Sequence, residues 1–311
     1  MFRRLSSQAT FGIVSPAYFP RAERLQSGIE YLQQRDFRIK QGQYLCKPHG
    51  YFAGTDEERL TDLHAMYRDR DVDLILCTRG GWGGLRLVDR LNYNLIRENP
   101  KPLIGYSDIT TLQLAIWART AVPSFSGPML AVEMGKGISA FTEQHFWAQL
   151  LNTRPQYDFD FSASGTVVFK PGRATGRLLG GCLALVTTLL GTPYSPDYHG
   201  AILFLEDTGE KPYRIDRYLA QLQQAGVFGQ INGLILGEFL DCKPDQDEVS
   251  FSLLEIFEHY FAKAGFPVLL DFPYGHGDDI FTMPLGVAAE LDTSATKLSL
   301  ANPFEFSVSV T

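Results

Sequence analysis

The sequence predicts an α/β protein in two parts. The first is an N-terminal Rossmann-like, mostly parallel sheet with flanking helices, and the second is a C-terminal mixed α/β domain. Three observations predict it. Short apolar runs alternate with segments of helical spacing through the first half. Those runs lead into glycine-rich or acidic turns, the strand ends where such sheets hold ligands. A stretch rich in Pro, Gly, Ser and Asp, "NTRPQYDFDFSASGTVVFKPGRATG", separates the halves. The expected organisation is residues 1–150, a linker with a short hairpin over 151–172, and residues 173–311.

Each element has its own signal. "FGIVSPA" (11–17) reads as a strand and "RAERLQSGIEYLQQR" (21–35) as a helix; "FRIKQG" reads as a short strand. "TDEERLTDLHAMYRD" (55–69) is a charged amphipathic helix, with Thr55 and Glu58 at capping-box spacing. "VDLILCT" (72–78) is a buried strand running into "RGGWGG"; "KPLIGY" is another strand and 108–119 another helix. In the second half "GCLALVTTLLG" is an apolar helix and "GAILFLED" (200–207) a strand ending in acids. "PYRIDRYLAQLQQAGVF" is a helix with Pro212 near its start. "INGLILGEF" is a strand, and "SFSLLEIFEHYFAKAG" a helix stopped by Gly265 and Pro267. "VLLDFPYGHGDD" is a strand and loop, and "VAAELDTSATKLSL" a closing hairpin.

Composition narrows the function classes. The 311 residues are 45% hydrophobic and 20% charged, as in an ordinary globular protein. Twenty-eight basic residues against 35 acidic give −7, which offers no footprint for nucleic acid or an anionic membrane. No apolar run is long enough to span a bilayer, and the N-terminal stretch reads as the first strand rather than a signal peptide. Cys46, Cys77, Cys182 and Cys242 are scattered without a CxxC or Cys/His spacing, which argues against a disulfide framework or a zinc site. A cytoplasmic location follows.

Four stretches could carry chemistry. In "GYSD", Ser107 sits between a strand and a helix. It is either a helix N-cap or a nucleophile on a tight turn that also aims the Asp108 N–H at a reacting carbonyl. Local sequence favours the cap, because G-Y-S-D meets only half of the G-x-S-x-G pattern. In "TRGGWGG" (78–84) the glycines permit close backbone approach to a ligand, or form an ordinary flexible turn; Trp82 either walls a pocket or anchors the loop. Glu206 directly follows an apolar strand, where a carboxylate that orients a histidine is needed; the bland alternative is a surface acid. His276, between two glycines, is the histidine best placed for general-base work, against the ordinary reading of a surface loop histidine. Together they run Ser, Glu, His in chain order, each after a strand, an order also met in α/β-hydrolases.

The blocks "GIVSPA", "TRGGWGG", "IGYSDIT", "LLGGCLALVTTLLGTPY", "ILFLEDTGEKPYRIDRYLAQL" and "GHGDDIFTMPLGVAAEL" resemble, in order, the LD-carboxypeptidase family. That family includes muramoyltetrapeptide carboxypeptidases and microcin-immunity peptidases. The resemblance implies a Ser107 nucleophile, a His276 base and a Glu206 orienter. It further implies an oxyanion hole from the N–H groups of Asp108 and Gly81, and no metal or organic cofactor. The implied reaction removes terminal D-alanine from murein tetrapeptides in cell-wall peptide recycling. Arg79 and Arg214 are candidates for the substrate's terminal carboxylate, since guanidinium pairs well with carboxylate. A homodimer is implied by resemblance alone. One departure stands out: family members often read G-G-N-L where this chain has "GGCL", so Cys182 replaces a polar residue. Two other readings compete: a peptidase of peptide–nucleotide antibiotics, needing an aromatic platform, and a non-catalytic small-molecule binder that uses "RGGWGG" as a cradle and Ser107 as a cap.

Overall fold

The computed structural model describes residues 2, 4–6, 8–246 and 248–305. In the first half the chain runs β1 (Thr10–Val14), α1 (Ala22–Gln33), β2 (Arg38–Gln41), the small pair β3 (Pro48–His49) and β4 (Phe52–Ala53), then α2 (Asp56–Arg68) and β5 (Leu74–Cys77). It continues α3 (Tyr93–Glu98), β6 (Leu103–Ile104), α4 (Ile109–Thr120), β7 (Ser124–Ser126) and α5 (Ala140–Leu150). The second half runs β8 (Gln156–Asp160), β9 (Val167–Lys170), β10 (Arg173–Cys182), α6 (Leu183–Thr188), β11 (Ile202–Thr208), α7 (Pro212–Gln224) and β12 (Gly233–Leu240). It ends α8 (Leu253–Phe261), β13 (Val268–Leu270), β14 (Met283–Leu285), β15 (Ala288–Asp292) and β16 (Lys297–Ala301).

Two sheets result. The first has the order β14-β7-β6-β5-β1-β2, parallel except where β14 pairs antiparallel with β7. The second has the order β8-β16-β15-β10-β11-β12-β13-β9, with β10 to β13 parallel and antiparallel strands on both sides. Central strands are apolar on both faces because helices cover both: "LILC" in β5 is wholly buried. Full burial of each such aliphatic side chain contributes roughly 1.5–3 kcal/mol. The helices match their sequence signals. Buried Leu25, Gly28, Ile29 and Leu32 recur on one face of α1, and Ile215, Leu219 and Leu222 on one face of α7. Both reciprocal hydrogen bonds of the Thr55–Glu58 capping box form at the start of α2.

Three features depart from the sequence reading. The expected hairpin in 151–172 is absent, because β8 pairs with β16 at one edge of the second sheet and β9 pairs with β13 at the other. Alternation alone cannot tell two edge strands from a hairpin. Helix α5 has no counterpart among the elements expected from the sequence; its buried residues, Thr142, His145, Phe146, Gln149 and Leu150, mix polar with apolar and hide the helical period. The third is β14, a late segment that closes the edge of the first sheet. Among the described residues no helix is long and apolar enough to cross a membrane.

Replacing the capping hydroxyl, Thr55→Ala, is expected to lower unfolding free energy by about 1 kcal/mol in a urea titration, without changing the slope.

Candidate active site

The carboxyl ends of the parallel strands of the two sheets supply the site. Ser107 follows β6, the glycine loop 80–84 follows β5, Glu206 lies near the end of β11, and His276 lies in the loop after β13. Ser107 has φ 61, a left-handed conformation that is strained for a residue with a side chain. It therefore does not cap α4: the residue before the helix is Asp108, and no side chain makes the cap bond there. An N-cap needs extended backbone, so the left-handed turn that presents Ser107 also forbids the cap. The Thr110 N–H instead donates to the Ser107 carbonyl, starting the helix directly behind the hydroxyl.

Glu206 and His276 meet. The imidazole Nδ1 lies 2.7 Å from Glu206 Oε2, and Glu206 is wholly buried. The other carboxylate oxygen, Oε1, is buried without a hydrogen-bond partner. Burial alone would lower the His276 pKa, but the Glu206 bond and the charges of Glu206, Asp207 and Glu133 outweigh it, and the net shift is upward. The ring of Tyr106, the residue before Ser107, packs edge-on against the His276 ring at 5.0 Å. Tyr106 is held in turn by its hydroxyl, which donates to Glu133 at 2.8 Å. His276 is hydrogen-bonded to Glu206 and not to Ser107 Oγ, a contact of the kind that commonly tightens only when substrate binds.

The loop around His276 is fastened to the first half of the chain. The Tyr274 hydroxyl lies 2.7 Å from Ser126 Oγ on β7. The Ile280 N–H donates to Thr142 Oγ1, and Ser139 donates to Asp279, both from the start of α5. Helix α4 is docked as well: the Cys182 N–H donates to Thr110 Oγ1 at 3.2 Å. Cys182 is buried, with its thiol 3.7 Å from Asp207 Oδ1. The alternation of β11 turns Asp207 away from Glu206, and Asp207 accepts the Ala184 N–H at the start of α6. Burial, together with the charges of Glu206 and Glu210, pushes Asp207 up to about 7.

The remaining sequence candidates scatter around this centre. A side chain built at Gly80 would lie 3.1 Å from Ser107 Oγ and 3.4 Å from the Asp108 nitrogen, whereas one built at Gly81 would strike the Tyr18 ring at 2.5 Å. Gly80 is thus the glycine packed against the Ser107 turn. Arg79 is half-buried over the Tyr18 ring, and its Nε is buried without a partner. Arg214 is exposed on α7 and ion-paired to Glu210 at 3.2 Å. Trp82 is half-buried in the glycine loop. Trp147 stacks on Phe37 at 4.9 Å, and Trp117 packs beside Gly286 and Arg177. Sequence reasoning missed Tyr106, which packs on the His276 ring itself, Glu133, which holds the Tyr106 hydroxyl, and Tyr274, which fastens the His276 loop to Ser126. It also missed Glu238, whose carboxylate packs against Gly277 and is raised by burial and by neighbouring Asp279, Asp271 and Asp278.

A family model described as the LD-carboxypeptidase N-terminal domain matches residues 11–127, and one described as the LD-carboxypeptidase C-terminal domain matches 175–291. A probable murein peptide carboxypeptidase of Bacillus subtilis is 38% identical over 94% of this chain and 91% of its own length. The solved muramoyltetrapeptide carboxypeptidase of Oxalobacter formigenes shares the fold at a TM-score of 0.83, with 30% identity over 94% of this chain and 98% of that one. The microcin C7 self-immunity protein MccF of Escherichia coli is 28% identical over 94% of this chain and 92% of its own. A structure of MccF in complex with glutamyl sulfamoyl guanosine matches at a TM-score of 0.88, with 26% identity over 97% and 98% of the two chains.

Titration of His276 by NMR is expected to give a pKa above 6.5, falling in Glu206→Gln, where an amide oxygen can still accept the Nδ1–H but the carboxylate charge that offsets desolvation is gone. A histidine raised in the folded state stabilises it fully below the unfolded value and loses that contribution as pH rises through the folded value. The stability gap between wild type and Glu206→Gln should therefore be widest below pH 6.5 and narrow above it.

Proposed function

This chain belongs to the LD-carboxypeptidase family, and from that premise we propose that it removes the terminal D-alanine of murein tetrapeptides through a Ser107–His276–Glu206 acyl-enzyme route. By family it is a serine-type carboxypeptidase, a hydrolase. The observation that carries the reading is a strained Ser107 on a strand-to-helix turn, with a Glu206-bonded imidazole packed against the residue before it.

The steps follow from this geometry. Ser107 Oγ attacks the carbonyl of the L-configured residue while His276 Nε2 takes its proton. Glu206 holds the proton on Nδ1 and stabilises the imidazolium that forms. The oxyanion is received by the Asp108 N–H and by the N–H of Gly81, next to the Gly80 that lines Ser107. His276 then protonates the leaving amine of D-alanine, and water cleaves the acyl-enzyme in the reverse sense. A base must be unprotonated, so kcat/KM is expected to fall as pH drops through the raised His276 pKa.

A carboxypeptidase also needs a cation for the free carboxylate. Arg79 supports that role better than Arg214, because its Nε has no partner while Arg214 is engaged by Glu210. Residues 1–150 carry the nucleophile turn in this reading, 151–172 connect, and 173–311 carry acid and base. A cytoplasmic site of action rests on four free thiols, and a homodimer rests on family resemblance. The resemblance to MccF brings in a peptide–nucleotide substrate as the competing reading. Trp147 and Trp117 are packed into the structure, which leaves Trp82 as the tryptophan beside the site.

Ser107→Ala is expected to abolish labelling by a fluorophosphonate probe and to lower tetrapeptide turnover by about 10⁴-fold or more. Arg79→Met should raise KM by roughly tenfold, with a smaller change in kcat, if it pairs the terminal carboxylate. Preference for a microcin-type conjugate over tetrapeptide in side-by-side assays would overturn the substrate assignment.

A further inference from the structure

The glycine-rich loop has two halves with different neighbours. Gly80 lies against Ser107, and Gly81 lies over Tyr18. Gly83 and Gly84 face elsewhere. A side chain at Gly83, where φ is 137, would stand 2.5 Å from Arg59 Nη1, and one at Gly84 would stand 2.5 Å from Thr111 Oγ1 and 3.0 Å from Asp108 Oδ2. The second glycine pair is therefore required by packing against Arg59 and Asp108, not by a ligand.

Both partners are interior charges. Arg59 and Asp108 are each 1% exposed. Arg59 Nη1 donates to the Gly83 carbonyl at 3.1 Å and to the Pro16 carbonyl, and Nη2 pairs with Asp56. Asp108 Oδ2 accepts the Gly84 N–H at 2.7 Å, and the Gly83 N–H also faces this carboxylate. Asp108 Oδ1 is buried without a partner. Burial pushes the carboxyl up to about 6 even against those amides. An interior carboxylate with one bare oxygen is costly to keep, and an alanine at this position would avoid the cost while keeping the same backbone N–H.

We propose that the Asp108 carboxylate and the Arg59 guanidinium are positioning residues that clamp Gly83 and Gly84, so that the Gly80–Gly81 end of the loop presents its N–H beside Ser107 Oγ. This rests on the reading of Ser107 as nucleophile. One residue then governs both oxyanion donors: Asp108 supplies the first with its own backbone and fixes the second through its side chain. A loop with four glycines in five residues has wide backbone freedom, and a donor displaced by about 1 Å forfeits about a hundredfold in rate. Arg59 ties the same loop to the end of β1 through Pro16, so the clamp refers the donors to the sheet.

The test compares Asp108→Ala, Asp108→Asn, Arg59→Met and Ser107→Ala for kcat and KM on a murein tetrapeptide and for the rate of Ser107 labelling by a fluorophosphonate, with circular dichroism to check folding. Asp108→Ala should lower kcat and the labelling rate by about 100-fold, with KM within about threefold. Asp108→Asn, whose amide oxygen still accepts from Gly84, should recover most of that loss. Arg59→Met should lower kcat by about tenfold with KM little changed. Full kcat in folded Asp108→Ala, or a loss confined to KM, overturns the clamp. If Asp108→Ala does not fold, the other two decide: a folded Asp108→Asn as slow as Ser107→Ala, or a folded Arg59→Met at wild-type kcat, overturns it. Turnover that survives in Ser107→Ala removes the nucleophile reading and the clamp with it. An inactive Ser107→Ala beside a fully active Asp108→Ala removes the clamp alone.

Discussion

The hydrogen bond between Glu206 and His276 is the constraint around which the rest is arranged. It needs a carboxylate with no contact with solvent, held at the end of a strand, facing an imidazole on a loop. Burying that charge is unfavourable unless a partner is guaranteed. The fold guarantees it by placing β11 in the middle of a parallel set and by pinning the His276 loop through Tyr274, Thr142 and Ser139. Without that imidazole, Glu206 would have neither of its oxygens satisfied.

Ser107 and His276 come from different sheets, so their relation depends on how the sheets meet. Beyond the pins on the His276 loop, three contacts set it. Thr110 on α4 accepts the backbone N–H of Cys182 at the end of β10. The aromatic edge of Tyr106 meets His276. The strand β14, from the second half of the chain, pairs with β7 of the first. The contact through Cys182 uses its backbone, so the docking of α4 does not require the polar side chain expected at that position. The thiol turns instead towards Asp207 on β11, which also accepts the Ala184 N–H at the start of α6.

Much of this was legible in the residues. Periodicity marked α1, α2 and α7, because each presents one apolar face to a sheet. Serine, glutamate and histidine could be proposed because each follows a strand, and strand ends are where parallel sheets hold ligands. Other features had no local signal. Arg59 sits on a helix whose composition announces a solvated charged face, yet it is interior, since loops from β1 and β5 fold over it. Strand β7 is "SFS" and β14 is "MPL", both too short for alternation to show. Ser107 was read locally as a cap because type and place suited one; its left-handed backbone is a tertiary outcome that no neighbouring residue encodes.

The late arrival of β14 bears on how the molecule is made. Strands β1 to β7 leave the ribosome long before Met283–Leu285, and until then β7 has an unpaired edge. An open parallel edge is a template for stray pairing, and contacts that bridge distant chain segments form slowly. The segment that finally covers it follows His276 by only a few residues. Completion of the first sheet and delivery of His276 are therefore nearly the same event in synthesis. A nascent chain carries Ser107 through the synthesis of β8 to β13 before His276 and β14 arrive to face it.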